Sequence, residues 1–220
     1  MRIAFLLYIL LFGFTIYSQQ LDFENYSVKE GLARSGVYSL TQDATGLLVI
    51  GTEGGGVCFF DGENFETFNK GDGLIDNNVR CVFQDSEGGY WFGTPSGITY
   101  LGRTGLHHFT EETGLEDNFV RFIEEDGDKN IWISTNNGVS VINLDVFTLK
   151  KKSKFNFSLP HRRVRSLLFD GEDMWFGTDA GLCKQEEGGR LQIFTVRDGL
   201  CDNRILCLHQ VEKNFCHWYS

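Results

Sequence analysis

The sequence predicts an all-β chain: β-propeller repeats of four-stranded antiparallel blades, about four blades plus a partial fifth, arranged as an incomplete, open propeller. Three observations carry this prediction. First, one short apolar phrase recurs: Leu48-Val49-Ile50-Gly51-Thr52, Tyr90-Trp91-Phe92-Gly93-Thr94, Ile131-Trp132-Ile133-Ser134-Thr135 and Met174-Trp175-Phe176-Gly177-Thr178. Successive copies are 42, 41 and 43 residues apart, measured at Gly51, Gly93, Ser134 and Gly177, which is the spacing of propeller blades. Second, each phrase alternates so that Trp takes one face and Phe or Ile the other. A strand apolar on both faces must be covered on both, and neighbouring blades supply that cover. Third, 26 glycines against 2 prolines, with 41% apolar and 14% aromatic residues, suit short strands and tight turns.

The elements follow in order. Residues 1–18 read as a secretory signal peptide: Arg2 gives the positive start, Ile3–Ile16 the apolar run, and Ser18 the small residue before a cut. The run is shorter than the ~20 residues that span a bilayer, so the chain is expected to be exported and periplasmic. Residues 19–220 form the repeat region, with copies at about 30–68, 72–109, 113–147 and 159–194 and a partial copy at 198–220. In the second copy, Asp72-Gly73-Leu74 is a turn with an apolar anchor, and Asp76-Asn77-Asn78 a second turn cluster. Val79–Phe83 is the first strand. Asp85-Ser86-Glu87-Gly88 reverses the chain, and Tyr90–Thr94 is the second strand. Pro95-Ser96-Gly97 turns into Ile98–Leu101, and His107-His108-Phe109 is the fourth strand. One blade cannot bury its own aromatic residues, each of which gains ~1.5–3 kcal/mol on leaving water, so isolated copies should not fold. The small residue closing each phrase fits close approach of a neighbouring backbone or Trp.

The copies differ. Val49 replaces Trp in the first, and Lys129 stands where the second has Gly88. The fourth has Leu159-Pro160-His161 in place of Gly-Leu and a turn, Asp170–Asp173, shorter by one residue. The fifth begins in pattern through Leu208 and departs from it after Gln210, so residues 211–220 are expected to be a truncated or frame-disrupted end. An arc left open there would expose a Trp-rich face and aggregate. Six cysteines in an exported chain raise disulfides. Yet Cys81 and Cys207 share a slot with Ser39, Phe122 and Ser166, and Cys58 and Cys183 one with Thr99 and Ser140, so they read as small packing residues.

The ordered set Gly73-Leu74, Asn77, Val79, Asp85, Gly88, Trp91-Phe92-Gly93-Thr94, Gly97-Ile98 resembles the two component regulator propeller repeat. Gly114-Leu115, Asn118, Val120, Asp126, Trp132 and Gly138-Val139 match again. The resemblance covers roughly 30–210. It implies an exported sensor propeller, followed in such receptors by a linking β domain, a membrane helix and a cytoplasmic signalling part, often with a carbohydrate-type ligand. Membrane attachment is then expected only through downstream segments, and a homodimer is an expectation for a full-length parent.

Candidate binding residues are those that recur. Asp76-Asn77, Asp117-Asn118 and Asp202-Asn203 occupy one slot. They read first as turn residues that satisfy nearby backbone, and second as a polar rim for sugar hydroxyls. Arg80, Arg121 and Arg165 each follow a strand-opening Val. They read as solvated or inter-blade residues, or as a channel lining that attracts an anionic ligand. Asp126–Asn130 is similar to the start of a calcium loop, but Ile131 sits where Gly is needed and Asn137 where Glu is needed. Lys150–Lys154 with Arg162-Arg163 forms a basic patch. No zinc pair, H-E-x-x-H, G-x-S-x-G or P-loop pattern occurs, so neither metal nor cofactor is expected and no catalytic role is assigned. The net charge of −10 argues against nucleic acid. The expected function is ligand sensing, with a protein-interaction scaffold as the alternative and a propeller lyase as the third reading.

Overall fold

In the computed structural model, residues 23–149, 159–186 and 188–209 are described. The segment read as a signal peptide, the Lys150–Lys154 run and the divergent tail lie outside them.

Among the described residues, sixteen strands form four antiparallel sheets of four. Blade 1 holds β1 (Val37–Gln42), β2 (Leu48–Thr52), β3 (Val57–Phe60) and β4 (Phe65–Phe68). Blade 2 holds β5 (Cys81–Gln84), β6 (Tyr90–Thr94), β7 (Gly97–Gly102) and β8 (Gly105–Phe109). Blade 3 holds β9 (Val120–Glu125), β10 (Asn130–Thr135), β11 (Gly138–Asn143) and β12 (Thr148–Leu149). Blade 4 holds β13 (Val164–Asp170), β14 (Asp173–Thr178), β15 (Gly181–Gln185) and β16 (Leu191–Phe194). Each sheet is a meander in sequence order, and the innermost strands of successive blades pack on one another. The fold is an incomplete propeller.

The two-faced second strands are covered as the alternation requires. Phe92, fully buried, packs back onto Val49, Val57, Leu74 and Val79 of the preceding blade and its connection. Trp91, also fully buried, packs forward onto Leu115, Val120 and Ile123. Trp132 repeats the forward contact with Val164, Leu167 and Phe176. Trp175 and Leu182 meet Leu200, Ile205 and Leu208 of the partial fifth copy. The last Trp face is therefore partly covered, where a bare one was expected, because the fifth copy keeps its anchor leucine and strand-opening residue.

The small residue of these phrases has a specific cause, close approach of the neighbouring blade, by backbone at Gly51 and by aliphatic side chains at Gly93 and Gly177 rather than by a Trp. A Cβ on Gly93 would lie 2.3 Å from Cys81 Sγ and 2.6 Å from Val120 Cγ1. On Gly51 it would meet the Val79 carbonyl oxygen at 2.7 Å, and on Gly177 it would meet Ile205 Cγ2 at 3.0 Å. The next blade's strand-opening aliphatic residue presses against this position. Its backbone is tied there as well: Val79 N–H donates to Thr52 O at 3.0 Å and Ile205 N–H to Thr178 O at 2.9 Å. For that reason β5 begins at Cys81 rather than at Val79; the Val79 amide is bound to the preceding blade.

Two turn devices repeat. The Asp opening the β5–β6 turn accepts from Glu87 and Gly89 N–H through Oδ1, at 3.0 and 2.7 Å, and from Trp91 Nε1–H through Oδ2 at 2.8 Å. Asp126 does the same for Asp128, Asn130 and Trp132, at 2.9, 2.9 and 2.7 Å. In blade 1, where Val49 replaces Trp, Asp43 Oδ2 instead accepts from Tyr90 Oη–H of the next blade at 2.6 Å. The second device is the Thr that ends each second strand. Thr52, Thr94, Thr135 and Thr178 each donate to the glycine carbonyl across the turn, at 2.7–2.9 Å. Lys129, standing for Gly88, takes the same left-handed conformation, with φ 59° against 84°.

Cys58, Cys81 and Cys183 are buried free thiols, with Cys81 and Cys183 pushed up to about 12 by burial. Cys207 is free and exposed although it shares the slot of Cys81. The second strand and following blade that bury Cys81 have no counterpart beside Cys207 among the described residues.

Candidate functional site

The inner strands all run the same way, so their two ends differ in chemistry. At the end reached from the inter-blade loops, the residue after the strand-opening Val is Tyr38, Arg80, Arg121 or Arg165. At the other end lie Asp43, Asp85, Asp126 and Asp170 with their turns. The inner-strand side chains are mostly cationic at the first mouth and acidic at the other.

The inter-blade loops set the geometry of the first mouth. Residues 70–72, 111–113 and 196–198 are single 3₁₀ turns, each closed by a glycine near φ +110° (Gly73, Gly114, Gly199). The Leu after each glycine anchors in the core. Leu159 stands five residues before Val164, as Leu74 does before Val79, and packs in the same way. Asn77 Oδ1 accepts from Lys70 N–H and Asn118 Oδ1 from Glu111 N–H, both at 2.8 Å. Asn203 Oδ1 accepts from Val196 N–H at 2.9 Å. Asp117 and Asp202 each accept the amide two residues on, at 2.7 Å. Asp76 accepts from Asn78 N–H at 2.9 Å and from Ser96 Oγ–H at 2.6 Å. These Asp and Asn side chains hold the loops in place, and the loops hold the arginines.

The arginines are brought together. The Arg80 guanidinium carbon lies 4.7 Å from the Tyr38 ring centroid and 4.8 Å from that of Phe119. Arg121 lies over the other side of the same cluster, 4.9 Å from the Phe119 centroid. Each contact is a cation–π arrangement. Arg165 bonds Asp179, which also takes Arg163 at 2.9 Å. Burial holds Arg121 below the usual guanidinium range, and the charges of Arg165, Arg163 and Arg80 lower it further against Asp179. Three guanidinium groups are thus close enough to act on that of Arg121.

A second slot lines this mouth, the residue directly after each strand-ending Thr: Glu53, Pro95, Asn136 and Asp179. Tyr38 bonds Glu53, Arg121 Nε–H donates to Asn136 Oδ1 at 2.6 Å, and Arg165 bonds Asp179. Blade 2 has Pro95 there, which offers no side-chain acceptor, and Arg80 Nε is buried with no hydrogen-bond partner among the described residues. Arg163 Nε is in the same condition.

The acidic mouth opens on a cavity of about 690 Å³ lined by Gln84, Ser86, Glu125 and Lys129, among others. Its polar groups are largely used in stitching blades: Ser86 N–H and Oγ–H both donate to Glu125 at 2.6 Å, and Ala44 N–H donates to Gln84 Oε1 at 2.9 Å. Among the described residues, no three His, Cys, Asp or Glu are grouped to hold a metal. Asp126, the candidate calcium-loop residue, is occupied by its turn and by Trp132.

This architecture defines the class: a segment of a β-propeller. Residues 73–96 and 114–137 match the two component regulator propeller family, and these are repeats of that family. The chain is similar to the extracellular domain of the B. thetaiotaomicron hybrid two component system BT3049, with 33% identity over 81% of this chain and a TM-score of 0.69. It is similar in fold to the corresponding domain of BT4673 from the same organism, with 19% identity over 82% of this chain and a TM-score of 0.66. The chain spans 25% and 27% of those two domains. A streptogramin B lyase shares the fold at 18% identity and a TM-score of 0.58, over 74% of this chain and 56% of its own. Among curated proteins nothing matches.

Sequence reasoning isolated Arg80, Arg121 and Arg165, and the structure places them in one cluster. It missed Tyr38, Phe119 and the Glu53–Pro95–Asn136–Asp179 slot, and it read Arg163 as part of a basic patch rather than of this cluster. The last was visible as the position after the repeated Thr, where the four copies carry four unrelated residues.

Proposed function

We propose that this chain is an exported, ligand-sensing propeller segment of a two component signalling receptor, and that it binds a carbohydrate-type ligand at the cationic mouth. The 33% identity to the extracellular domain of a hybrid two component system carries the sensor reading. The location follows from the mouth itself, where loop-held side chains of three blades converge on aromatic rings and guanidinium donors. Sugar rings stack on such faces while their hydroxyls take polar edges. Export is supported by the apolar leader at residues 1–18 and by the extracellular relatives. Among the described residues no helix is long and apolar enough to cross a membrane. The mechanism is differential binding: ligand would shift a receptor equilibrium toward the state that binds it better. A glycan array probed with the full-length exported protein tests the reading. Binding to a defined glycan set supports it. Silence across glycans, together with a genetic neighbourhood lacking glycan-processing enzymes, defeats the carbohydrate assignment.

A further inference from the structure

We propose that Arg80, with Arg121 beside it, is an oxyanion site, so that the ligand taken at this mouth carries a carboxylate, sulfate or phosphate group. The inference deepens the preceding reading and rests on it only for the choice of face.

The argument is a comparison of four equivalent positions. In blades 1, 3 and 4, the inner-strand residue is satisfied within its own blade, by Glu53, Asn136 and Asp179 respectively. In blade 2 the matching acceptor is replaced by Pro95, and Arg80 keeps a buried Nε–H with no partner among the described residues. The guanidinium lies between the Tyr38 and Phe119 rings. Stacking on ring faces fixes the plane of a guanidinium and leaves its N–H edge for planar, two-point recognition of an oxyanion. Arg121 flanks the same Phe119 ring, so the two guanidinium carbons are no farther apart than the sum of their distances to its centroid. Of the nearby carboxylates, Asp179 is held by two other arginines and Glu53 by Tyr38. Burial lowers Arg121 most, and the charges of Arg165, Arg163 and Arg80 lower it further. An entering oxyanion would relieve that crowding and satisfy the free donor together. The chain is otherwise acidic, at −10, which makes a local cationic mouth selective rather than generally adhesive.

The test is a titration of the exported protein with sodium sulfate, sodium glucuronate or glucose at constant ionic strength, read by NMR at the arginine Nε–H resonances. Sulfate and glucuronate should shift the Arg80 resonance to saturation, and glucose should leave it in place. Arg80→Gln should weaken the anion by about tenfold or more, the loss expected for a charge-assisted bond, while exposed Arg197→Gln should not. Pro95→Asp restores the acceptor that other blades possess and leaves Arg80 present. It should weaken anion binding similarly without unfolding the protein, since Glu53, Asn136 and Asp179 already occupy that turn position. Saturation by glucuronate but not sulfate assigns a uronic-acid ligand, and saturation by both assigns the oxyanion itself; each upholds the inference. Binding of neutral glycans with Arg80 unmoved supports the sugar reading and overturns this one. Anion binding without glycan binding does the reverse. Full anion affinity in Pro95→Asp refutes the role of the missing acceptor.

Discussion

Glu124 should make this propeller less stable as pH rises, and replacing it should reverse that. It lies in β9 directly across from Trp132, in a slot held by Thr41, Phe83 and Leu168 in the other blades. Burial pushes its carboxyl from an ordinary 4.5 up to about 7, with the charge of Glu125 adding to the effect. The unfolded chain gives up this proton near 4.5 and the folded chain holds it to about 7, so ionisation favours unfolding. The fold is least penalised below 4.5, loses stability between 4.5 and 7, and changes no further from this group above that. At 1.36 kcal/mol per pKa unit, the gap corresponds to roughly 3 kcal/mol. Partial solvent screening of a half-buried group reduces it to about 2 kcal/mol. Glu124→Gln should therefore be more stable than the parent by about 2 kcal/mol at pH 8 and nearly equal to it at pH 4.5. Glu124→Leu should gain at least as much at pH 8, since Leu168 shows that the slot accepts it. Urea denaturation followed by tryptophan fluorescence measures both. A stability difference that is the same at the two pH values would falsify the assignment of the titration to Glu124.

Three further outcomes are expected. Gly93→Val should cost about 1–3 kcal/mol by overpacking the blade 2–blade 3 seam, because its Cβ would lie 2.3 Å from Cys81 Sγ; Gly188→Ala, where no atom lies near, should be neutral in the same denaturation assay. Trp91→Phe should cost about 1–3 kcal/mol beyond its volume change in the same assay, since it leaves the buried Asp85 oxygen without the indole N–H. Burial pushes Asp43 up, but hydrogen bonds from Tyr90, Thr45 and Leu47 outweigh it and hold its carboxyl at about 2. Tyr90→Phe should raise that value toward 3.8 in an NMR titration, and should destabilise above pH 3.8 by an amount that fades as pH falls toward 2.

The blade count, the two-faced second strands and the turn positions were legible because each depends on period and residue type alone. Gly73-Leu74 and Asn77 looked like turn chemistry and are: the glycine takes a left-handed conformation, the leucine anchors and the asparagine caps. The Asp–Trp bond was present in the sequence as a spacing of six, at Asp85–Trp91 and Asp126–Trp132, but nothing in one strand's pattern says that an indole reaches back across its turn. The neighbour of Gly93 could not be read, since it is Val120, 27 residues away on another blade. The arginine cluster was half legible. Recurrence marked Arg80, Arg121 and Arg165. Only the closing of blade upon blade brings Phe119 and Tyr38 to opposite sides of Arg80.

A repeat protein uses most of its repeated residues to hold one blade on the next, so binding free energy has to come from positions where the repeat is broken. The slot after the strand-ending Thr is such a position. Its backbone is fixed in all four blades by the same Thr-to-glycine hydrogen bond, so its side chain carries no share of the turn and is free to vary. Where it varies among Glu, Asn and Asp, it neutralises or satisfies the inner-strand residue of its own blade. Where it is Pro, a desolvated donor is left in a low-dielectric cluster of like charges, which is costly unless something else supplies the acceptor. A chain with no use for Arg80 would lower its free energy by a single change at either residue. The unsatisfied Arg80 donor, the Tyr38 and Phe119 rings that clamp it and the neighbouring Arg121 meet where blades 1, 2 and 3 converge, which is the physical reason to look for a ligand at this mouth and not at the hydrogen-bonded acidic one.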